Sequence, residues 1–294
     1  MRLATSTLLL ALALPATAQQ DFSAVEIEAT ALRGGLHMLI GRGGNLVVSA
    51  GSDGVYLIDD QYAPLVPKIR AAIAKISDQP VRFVINTHWH GDHTGGNESF
   101  GGTGSVIVAH DNVRQRMSTE QVIKLFDTTV PPSPAAALPV LTFTEQVSLH
   151  FNGDRADVIH AAHAHTDGDA FVHFRGANVL HMGDLYFNGL YPFIDTGSGG
   201  DIDGFIAAID RALALANDTT QIVPGHGPLS NKAEMAAYRA MLDGFRGAIR
   251  ALKAEGKTLE QVQTAAPTAA FDEKLGGGFI KPAQLVAFIY ETVD

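Results

Sequence analysis

The stretch Thr87-His88-Trp89-His90-Gly91-Asp92-His93-Thr94-Gly95-Gly96-Asn97 places three imidazoles and one carboxylate within six residues. His88 and His90 are two positions apart, so on an extended backbone their side chains project from the same side. Gly91 allows the chain to turn, and Asp92 and His93 can then face a second point in space. This density of ligand-type side chains predicts a site for two adjacent metal ions.

The segments around this motif alternate between β and α character. The apolar run 81–86 predicts a buried strand that holds the motif rigidly. The proline-rich segment 131–139 predicts a seam between two strand-rich halves, and halves closed by helices predict two sheets packed face to face with helices outside. Further strands are predicted at 36–40, 46–50, 55–58, 105–109, 147–151, 156–160, 170–174, 179–181 and 221–223, and helices at 64–76, 111–126, 202–216 and 235–252, with a last helix ending near Phe288.

The first residues have the pattern of a secretion signal. Arg2 provides a positive start, residues 8–14 are apolar, and Ala16-Thr17-Ala18 fits the rule of small residues before a cleavage site. We therefore expect a signal peptide at 1–18 and a single mature domain at 19–294, located in the periplasm or outside the cell. The apolar run is too short to span a bilayer comfortably, so we expect no stable membrane association after cleavage.

Composition restricts the chemistry of the predicted site. The 294-residue chain contains no cysteine, so any metal site must use nitrogen and oxygen ligands. Its formal net charge of −10 argues against a nucleic-acid partner, because phosphate binding requires a basic surface. We expect a small-molecule substrate, and the sequence carries no signal for oligomeric state.

Three later segments each place ligand-type residues directly beyond an apolar strand or before one, where functional residues of layered folds commonly lie. Their glycines permit close approach of the backbone to an ion. The segments are His163-Ala164-His165-Thr166-Asp167-Gly168-Asp169, His181-Met182-Gly183-Asp184 and Val223-Pro224-Gly225-His226-Gly227.

Together the four segments resemble the metallo-β-lactamase superfamily, whose signature His-x-His-x-Asp-His is complete at residues 88–93. The resemblance implies an α/β (α+β) fold, a four-layer αββα sandwich of two mixed sheets flanked by helices, with two zinc ions at one edge. Matched motif by motif, it implies that the first ion is bound by His88, His90 and His165, the second by Asp92, His93 and His226, and that Asp184 bridges the two.

The chemistry of these ligands agrees with that assignment. Three imidazoles leave an open position on zinc, as in catalytic rather than structural sites. Water bound there titrates near about pH 7, so a metal-bound hydroxide is available to attack a carbonyl. Asp92 is placed to orient this nucleophile or to pass a proton to the leaving group. The expected enzyme is therefore a metal-dependent hydrolase.

Two departures from the lactamases of most similar pattern bear on the substrate. Those enzymes often have cysteine where this chain has Asp184, and a lysine, which binds the drug's carboxylate, where this chain has Phe187. The all-oxygen-and-nitrogen second site resembles that of glyoxalase II-like thioesterases, lactonases and phosphodiesterases of the same superfamily.

Other polar residues near the motifs are weaker candidates. His163 competes with His165 as a ligand, and we favour His165 because His-Thr-x-Gly-Asp matches the family pattern. For Trp89 we favour packing over substrate contact. We consider Asp59 and Asp169 as carboxylates that hydrogen-bond a ligand imidazole and fix its tautomer. Substrate contacts are considered at Tyr186, Asn188 and Tyr191.

The leading hypothesis is an exported dinuclear zinc hydrolase, for which we rank β-lactam ring opening first. The alternative is a lactone, ester or thioester (glyoxalase II-like) hydrolase, and phosphodiester hydrolysis is a further rival. An iron-dependent redox enzyme of the same fold is the alternative of another class. A non-catalytic metal or ligand carrier is a third class, which the open first site disfavours.

Overall fold

The computed structural model describes residues 21–294, so the predicted signal peptide at 1–18 lies outside the described residues. The strands of the described chain are, in order, β1 (Glu28–Ala31), β2 (Leu36–Ile40), β3 (Leu46–Gly51), β4 (Gly54–Ile58), β5 (Val81–Ile85), β6 (Val106–His110), β7 (Gln121–Ile123), β8 (Thr128–Val130), β9 (Leu141–Phe143), β10 (Gln146–Phe151), β11 (Asp154–Ala161), β12 (Asp169–Phe174), β13 (Val179–His181), β14 (Gln221–Val223) and β15 (Ser230–Asn231). The α-helices are α1 (Val66–Ala74), α2 (Gly91–Thr94), α3 (Asn97–Gly101), α4 (Asp111–Met117), α5 (Ile202–Leu215), α6 (Lys232–Ala254), α7 (Leu259–Thr264), α8 (Ala269–Leu275) and α9 (Pro282–Thr292).

Two mixed sheets carry the fold. The first has the order β1-β2-β3-β4-β5-β6-β9, and its β4, β5, β6 and β9 run parallel. The second has the order β10-β11-β12-β13-β14-β15, in which β13 and β14 are parallel. Strands β7 and β8 form a separate hairpin. The predicted sheet-on-sheet arrangement is therefore confirmed.

Three apolar layers separate the sheets and helices. Alternate residues of β4 point to opposite faces: Tyr56 packs between the two sheets, whereas Leu57 packs against α1. Behind the second sheet, Phe171 packs with Phe205 of α5 and Leu242 of α6. Because both faces of each sheet are covered, the central strands are buried along their length. This order of layers is the predicted four-layer αββα sandwich.

Two boundaries differ from the sequence-based prediction. Helix α4 ends at Met117 rather than continuing to 126, because the Ser118 and Thr119 hydroxyls bond the carbonyls of Arg114 (2.6 Å) and Gln115 (3.1 Å). The chain then forms the β7–β8 hairpin. The first sheet also continues past the proline-rich segment to β9, so the seam between the halves lies at residues 143–146 rather than 131–139.

The described residues contain no helix with the length and apolar character needed to cross a bilayer.

Candidate metal centre

The ligand-type residues meet at one edge of the sandwich because their strands end there. His88 follows β5, Asp184 follows β13 and His226 follows β14. Parallel neighbours bring their carboxyl ends to the same edge, which explains why β13 and β14 deliver Asp184 and His226 together. His165 lies on the loop between β11 and β12. Because β12 is antiparallel to both β11 and β13, the carboxyl end of β11 and this loop lie at the same edge.

A first cluster consists of His88, His90 and His165, whose ligand atoms all lie within 4.8 Å of one another. All three side chains are buried. His165 Nε2 lies 2.9 Å from His90 Nδ1. The competing His163 is exposed, with its Nδ1 3.3 Å from the carbonyl of Gly199, so it does not join the cluster.

A second cluster consists of Asp92, His93 and His226. Asp92 Oδ2 lies 3.6 Å from His93 Nε2 and 3.4 Å from His226 Nε2. His93 is fully buried, whereas Asp92 and His226 are partly exposed. The second cluster therefore opens to the surface through these two side chains.

Asp184 lies between the clusters. Its Oδ1 is 3.1 Å from His93 Nε2, and its Oδ2 is 3.4 Å from His226 Nε2. The same Oδ2 is 3.6 Å from His165 Nε2 and 3.8 Å from His88 Nε2. One carboxylate thus faces imidazoles of both clusters.

Hydrogen bonds behind the imidazoles fix their tautomers. His93 Nδ1 donates to Asp59 Oδ2 (2.8 Å), and His165 Nδ1 donates to the carbonyl of Phe193 (2.8 Å). These bonds assign the proton to Nδ1 and leave the Nε2 lone pair directed at the centre. The position of Asp59 agrees with the role considered for it from the sequence.

The remaining two imidazoles of the first cluster are held in the same way. His90 Nε2 donates to Asp195 Oδ2 (3.0 Å), which leaves Nδ1 facing His165. Thr87 Oγ1 donates to Asp59 Oδ2 (2.8 Å) and therefore accepts from His88 Nδ1 (3.0 Å). Each imidazole is thus presented with its acceptor nitrogen inward.

The residues present fit a metal pair. His88 Nε2, His93 Nε2 and Asp184 Oδ1 are buried and have no hydrogen-bond partner within the described chain. Buried polar atoms are normally satisfied, so three such atoms at one point indicate a donor set that fits a cation. Inward-facing lone pairs of His90 and His165 at 2.9 Å would repel one another unless a cation lay beside them.

The electrostatics separate the imidazoles into two groups. Burial, reinforced by neighbouring His93, holds the pKa of His88 well below its usual range, and burial lowers the pKa of His165 to about 4. At His226, burial disfavours the charged imidazole. The carboxylates of Asp184 and Asp92 outweigh this effect and raise the pKa of His226 to about 9. His88 and His165 therefore stay neutral, as metal ligation requires.

Two glycines allow the close packing of this centre. A Cβ at Gly225 would lie 2.1 Å from Asp184 Oδ1, and a Cβ at Gly44 would lie 2.0 Å from Cε1 of His93. Neither position has room for a side chain. The backbone therefore forms part of the wall behind the ligands.

A cavity of about 630 Å³ opens above the centre. Asp92, Asp184, His90 and His226 form part of its floor, and Trp89 contributes to its wall while also packing in a small apolar cluster with Val113. The rest of its lining consists of Arg42, Tyr62, Gly91, Ile123, Phe126, Val130, Leu190, Phe193 and Phe279.

Three substrate contacts considered from the sequence are not part of this cavity. Tyr186 is buried with its hydroxyl 2.9 Å from Ser230 Oγ, and Tyr191 is buried with its hydroxyl donating to Asp272 Oδ1 (2.7 Å). Both are directed into the helical layer behind the second sheet. Asn188 donates to the carbonyl of Pro228 (3.0 Å). The expectation fails because the chain after Asp184 turns away from the cavity and returns only at Leu190.

Of the two carboxylates considered behind the ligands, Asp169 differs from expectation. Asp169 accepts from the backbone N–H and hydroxyl of Thr166 (2.8 and 2.5 Å), so it orders the loop after His165 but bonds no ligand imidazole. Sequence reasoning missed Asp195, which does bond His90. No motif marks Asp195, since it lies in a loop that only the folded chain brings to the site.

Comparisons with known proteins agree with this geometry. Residues 34–226 match the family model described as the metallo-beta-lactamase superfamily. Hydroxyacylglutathione hydrolase of Polaromonas sp. is 26% identical over 208 residues, covering 65% of this chain and 71% of that protein. Hydroxyacylglutathione hydrolase of Nitrosococcus oceani is 29% identical over 174 residues, covering 57% of each chain. The match thus spans little more than half the length of the second relative.

Solved structures share the fold. A metallo-beta-lactamase from Pontibacter korlensis superposes with a TM-score of 0.61 at 18% identity, covering 74% of this chain and 99% of that chain. The stereoselective inverting sec-alkylsulfatase from Pseudomonas sp. gives a TM-score of 0.68 at 16% identity, covering 90% of this chain and 50% of that chain. At these identities the likeness concerns the fold alone.

Proposed function

Because the chain belongs to the metallo-beta-lactamase superfamily, we propose that this metal-dependent hydrolase cleaves a small thioester, with two zinc ions bound. The observation that carries the proposal is the position of Asp184, whose two oxygens face imidazoles of both clusters. A carboxylate rather than a thiolate at this position gives a second site of oxygen and nitrogen only. The similarity to hydroxyacylglutathione hydrolases supports a thioester before a β-lactam.

The ligand roles follow the clusters. His88, His90 and His165 would hold one ion, Asp92, His93 and His226 the other, with Asp184 shared. When bound, the ions would act as Lewis acids on the substrate carbonyl and supply a strong nucleophile from water at neutral pH.

The chain's own residues supply orientation and proton transfer. Asp59, Thr87, Asp195 and the Phe193 carbonyl accept the outward N–H groups of His93, His88, His90 and His165 and so aim the second nitrogen of each ring inward. Asp92 is partly exposed to the cavity, and its carboxylate is ionised at neutral pH: burial opposes ionisation, but His93 and His226 lower its pKa to about 2. We assign Asp92 the orientation of the attacking water and the return of its proton to the leaving group.

The test is a substrate panel on metal-quantified protein. An acylated glutathione, an aliphatic lactone and a chromogenic cephalosporin are compared with and without chelator. We expect about two zinc equivalents and the highest kcat/KM for the thioester. Preference for the cephalosporin would make β-lactam hydrolysis the function, and preference for the lactone would make the enzyme a lactonase. One iron without zinc would indicate a redox enzyme, and full metal occupancy without turnover a carrier.

A ligand variant makes the panel specific. Asp184→Asn should lower kcat/KM by more than about 100-fold, since partners behind the ligands alone are typically worth about 10- to 100-fold. Asp210→Asn, in an exposed ion pair with Arg239, provides the matched control and should leave turnover unchanged. Equal activity of the two variants would contradict the bridging role.

Export is a separate proposal, supported by the sequence pattern of residues 1–18. Expression of the full chain in a Gram-negative host should yield periplasmic protein that begins at Gln19. Protein that retains Met1 and remains in the cytoplasm would contradict it.

A further inference from the structure

Residues 41–45, which join β2 to β3, form a loop that is fastened to the metal centre. The N–H of Gly44 donates to the carbonyl of Asp92 (3.1 Å), and Gln61 Nε2 donates to the carbonyl of Gly44 (2.7 Å). On its other side, Asn45 Nδ2 donates to the carbonyls of Pro224 and Gly227, both at 2.9 Å. The loop is therefore fixed relative to Asp92 and His226.

The loop also packs without space for further side chains. A Cβ at Gly43 would lie 2.7 Å from the carbonyl oxygen of Asp92 and 3.3 Å from Cε2 of Tyr62. Arg42, which precedes this glycine, lines the cavity beside Tyr62. The backbone thus holds the base of the Arg42 side chain at a defined place next to Asp92.

Both side chains have free hydrogen-bonding groups. Within residues 21–294, the structure gives neither the Arg42 guanidinium nor the Tyr62 hydroxyl a hydrogen bond, and Arg42 forms no ion pair there, although Asp92 and Asp184 share the same cavity. Burial, followed by the negative charges of Asp92 and Asp184, raises the pKa of Tyr62, so its hydroxyl remains a donor at neutral pH. An arginine fork and a phenol are suitable donors for a carboxylate.

The opposite part of the cavity is apolar. Phe193 stacks on His90, with ring centroids 5.6 Å apart and an interplanar angle of 19°, and Phe126 packs on Phe193 at 5.8 Å. Phe126 is about half exposed (52%) at the cavity mouth. Arg42 and Tyr62 thus lie beside Asp92, while an aromatic wall lies beside His90.

From this arrangement we propose that Arg42 and Tyr62 form a carboxylate-binding subsite, and that the substrate carries a carboxylate on one side of its reacting carbonyl and an apolar group on the other. The thioester part of this inference rests on the proposed function. Arg42 would take the place of the lysine that the lactamases of most similar pattern carry where this chain has Phe187. It reaches the cavity from a different loop, so sequence alignment at that position does not reveal it.

Charge in the cavity is compatible with an anionic substrate. Asp92 and Asp184 are the carboxylates assigned to the metal pair, and bound cations would cancel their charge. Arg42 is then the lining residue with a permanent positive side chain. Because Arg42 is exposed, its attraction for a carboxylate should weaken with added salt.

A matched pair of probes tests the subsite. S-hexanoyl mercaptopropionate carries a carboxylate, and S-hexanoyl mercaptopropionamide is its neutral counterpart. The wild-type enzyme should prefer the carboxylate by about tenfold in kcat/KM, a modest value because the pair is solvent-exposed. Arg42→Ala should remove this preference, because its kcat/KM for the carboxylate should fall by about tenfold more than its kcat/KM for the amide. A preference that survives in Arg42→Ala, or an equal loss for both probes, would overturn the proposal.

The control is Arg33→Ala. Arg33 is exposed and precedes β2, whereas Arg42 follows it, so the length of the strand separates the two. Arg33→Ala should keep the wild-type preference. Tyr62→Phe should weaken the preference partly, because only one of the two donors is lost.

A binding experiment separates the subsite from the thioesterase function. The chain's single tryptophan, Trp89, lines the cavity, so its fluorescence reports on ligand binding. The non-hydrolysable thioether S-hexyl mercaptopropionate should bind wild type about tenfold more tightly than its amide, and Arg42→Ala should bind both alike. Tight carboxylate binding without thioester turnover would refute only the proposed function. Equal binding of both thioethers by wild type would refute the subsite, whatever the enzyme hydrolyses.

Discussion

Asp195 accepts a hydrogen bond from His90, with 3.0 Å between Asp195 Oδ2 and His90 Nε2. This bond sets the tautomer of an imidazole whose other nitrogen, Nδ1, faces His165. Asp195 is itself buried and N-caps a short turn by accepting from the N–H of Ser198. A loop carboxylate thus positions a predicted metal ligand that lies 105 residues earlier in the chain.

We expect Asp195→Asn to weaken zinc binding at the first cluster by about 10- to 100-fold, the usual effect of removing the partner behind a ligand imidazole. An amide can direct its NH₂ group at Nε2 and so favour the wrong tautomer. Competition with a chromogenic chelator measures the affinity, and Asp210→Asn serves as the control because its ion pair is exposed. Unchanged zinc affinity in Asp195→Asn would show that the hydrogen bond from His165 Nδ1 to the Phe193 carbonyl is enough to position the first cluster.

The sequence was most informative where function is encoded locally. The segment 88–93 contains four ligand-type residues, three histidines and one aspartate, together with the turn residue Gly91. The apolar runs that precede Asp184 and His226 place these two residues at the ends of strands. The layers were predictable for the same reason, since the periods of β4, α5 and α6 indicate which faces are buried.

Contacts made by loops were not predictable. Tyr186 and Tyr191 follow Asp184 closely in sequence, yet their hydroxyls bond Ser230 of β15 and Asp272 of α8, away from the cavity. Arg42 lies far from every ligand in sequence but lines the cavity. Proximity along the chain is a poor guide to proximity in space once the backbone leaves a strand, because tertiary packing sets the direction of each loop.

Gly225→Ala should disrupt the bridge between the clusters. The added Cβ would lie 2.1 Å from Asp184 Oδ1 and 2.5 Å from the carbonyl oxygen of Gly183, so Asp184 would have to move. We expect loss of the second zinc equivalent and of most activity, measured by metal analysis and turnover.

Gly244→Ala is the matched control, because Gly244 is exposed in α6 with nothing within 4 Å of the added Cβ. That variant should raise the free energy of unfolding by roughly 0.5–1 kcal/mol. Full zinc binding by Gly225→Ala would contradict the assignment of Asp184.

The stacked pair His110 and His160 should make the fold sensitive to acid. Their rings lie 3.7 Å apart at 9° and join the two sheets. Burial lowers the pKa of each; nearby Arg211 opposes protonation of His160, whereas Asp111 and Asp167 favour the charged form at His110. A lowered imidazole pKa means that the unfolded chain binds more protons, so the stabilising contribution is complete above about pH 6.5 and is lost as the pH falls below it.

Urea unfolding at pH 7 and pH 5, in the presence of chelator, measures this dependence. His160→Phe keeps an aromatic ring but removes the titrating group, so it should lose less stability between the two pH values than wild type does. His150→Phe, at an exposed position of β10, should behave as wild type. An identical pH dependence in wild type and His160→Phe would show that the pair does not contribute.

We expect Phe187 to support the second cluster by packing, and not to contact the substrate. Its ring is fully buried and stacks on that of His226, with centroids 5.3 Å apart at 11°. We expect Phe187→Ala to lower the free energy of unfolding by roughly 3–5 kcal/mol and to weaken zinc binding through a loosened His226. Phe271→Ala, at a partly exposed position of α8, should lower the free energy of unfolding by less.

Phe187→Lys should also destabilise the protein, because a buried ammonium would lack a partner. It should not raise the preference for a carboxylate over an amide. A stable Phe187→Lys variant with a stronger carboxylate preference would show that the side chain at 187 can reach the substrate.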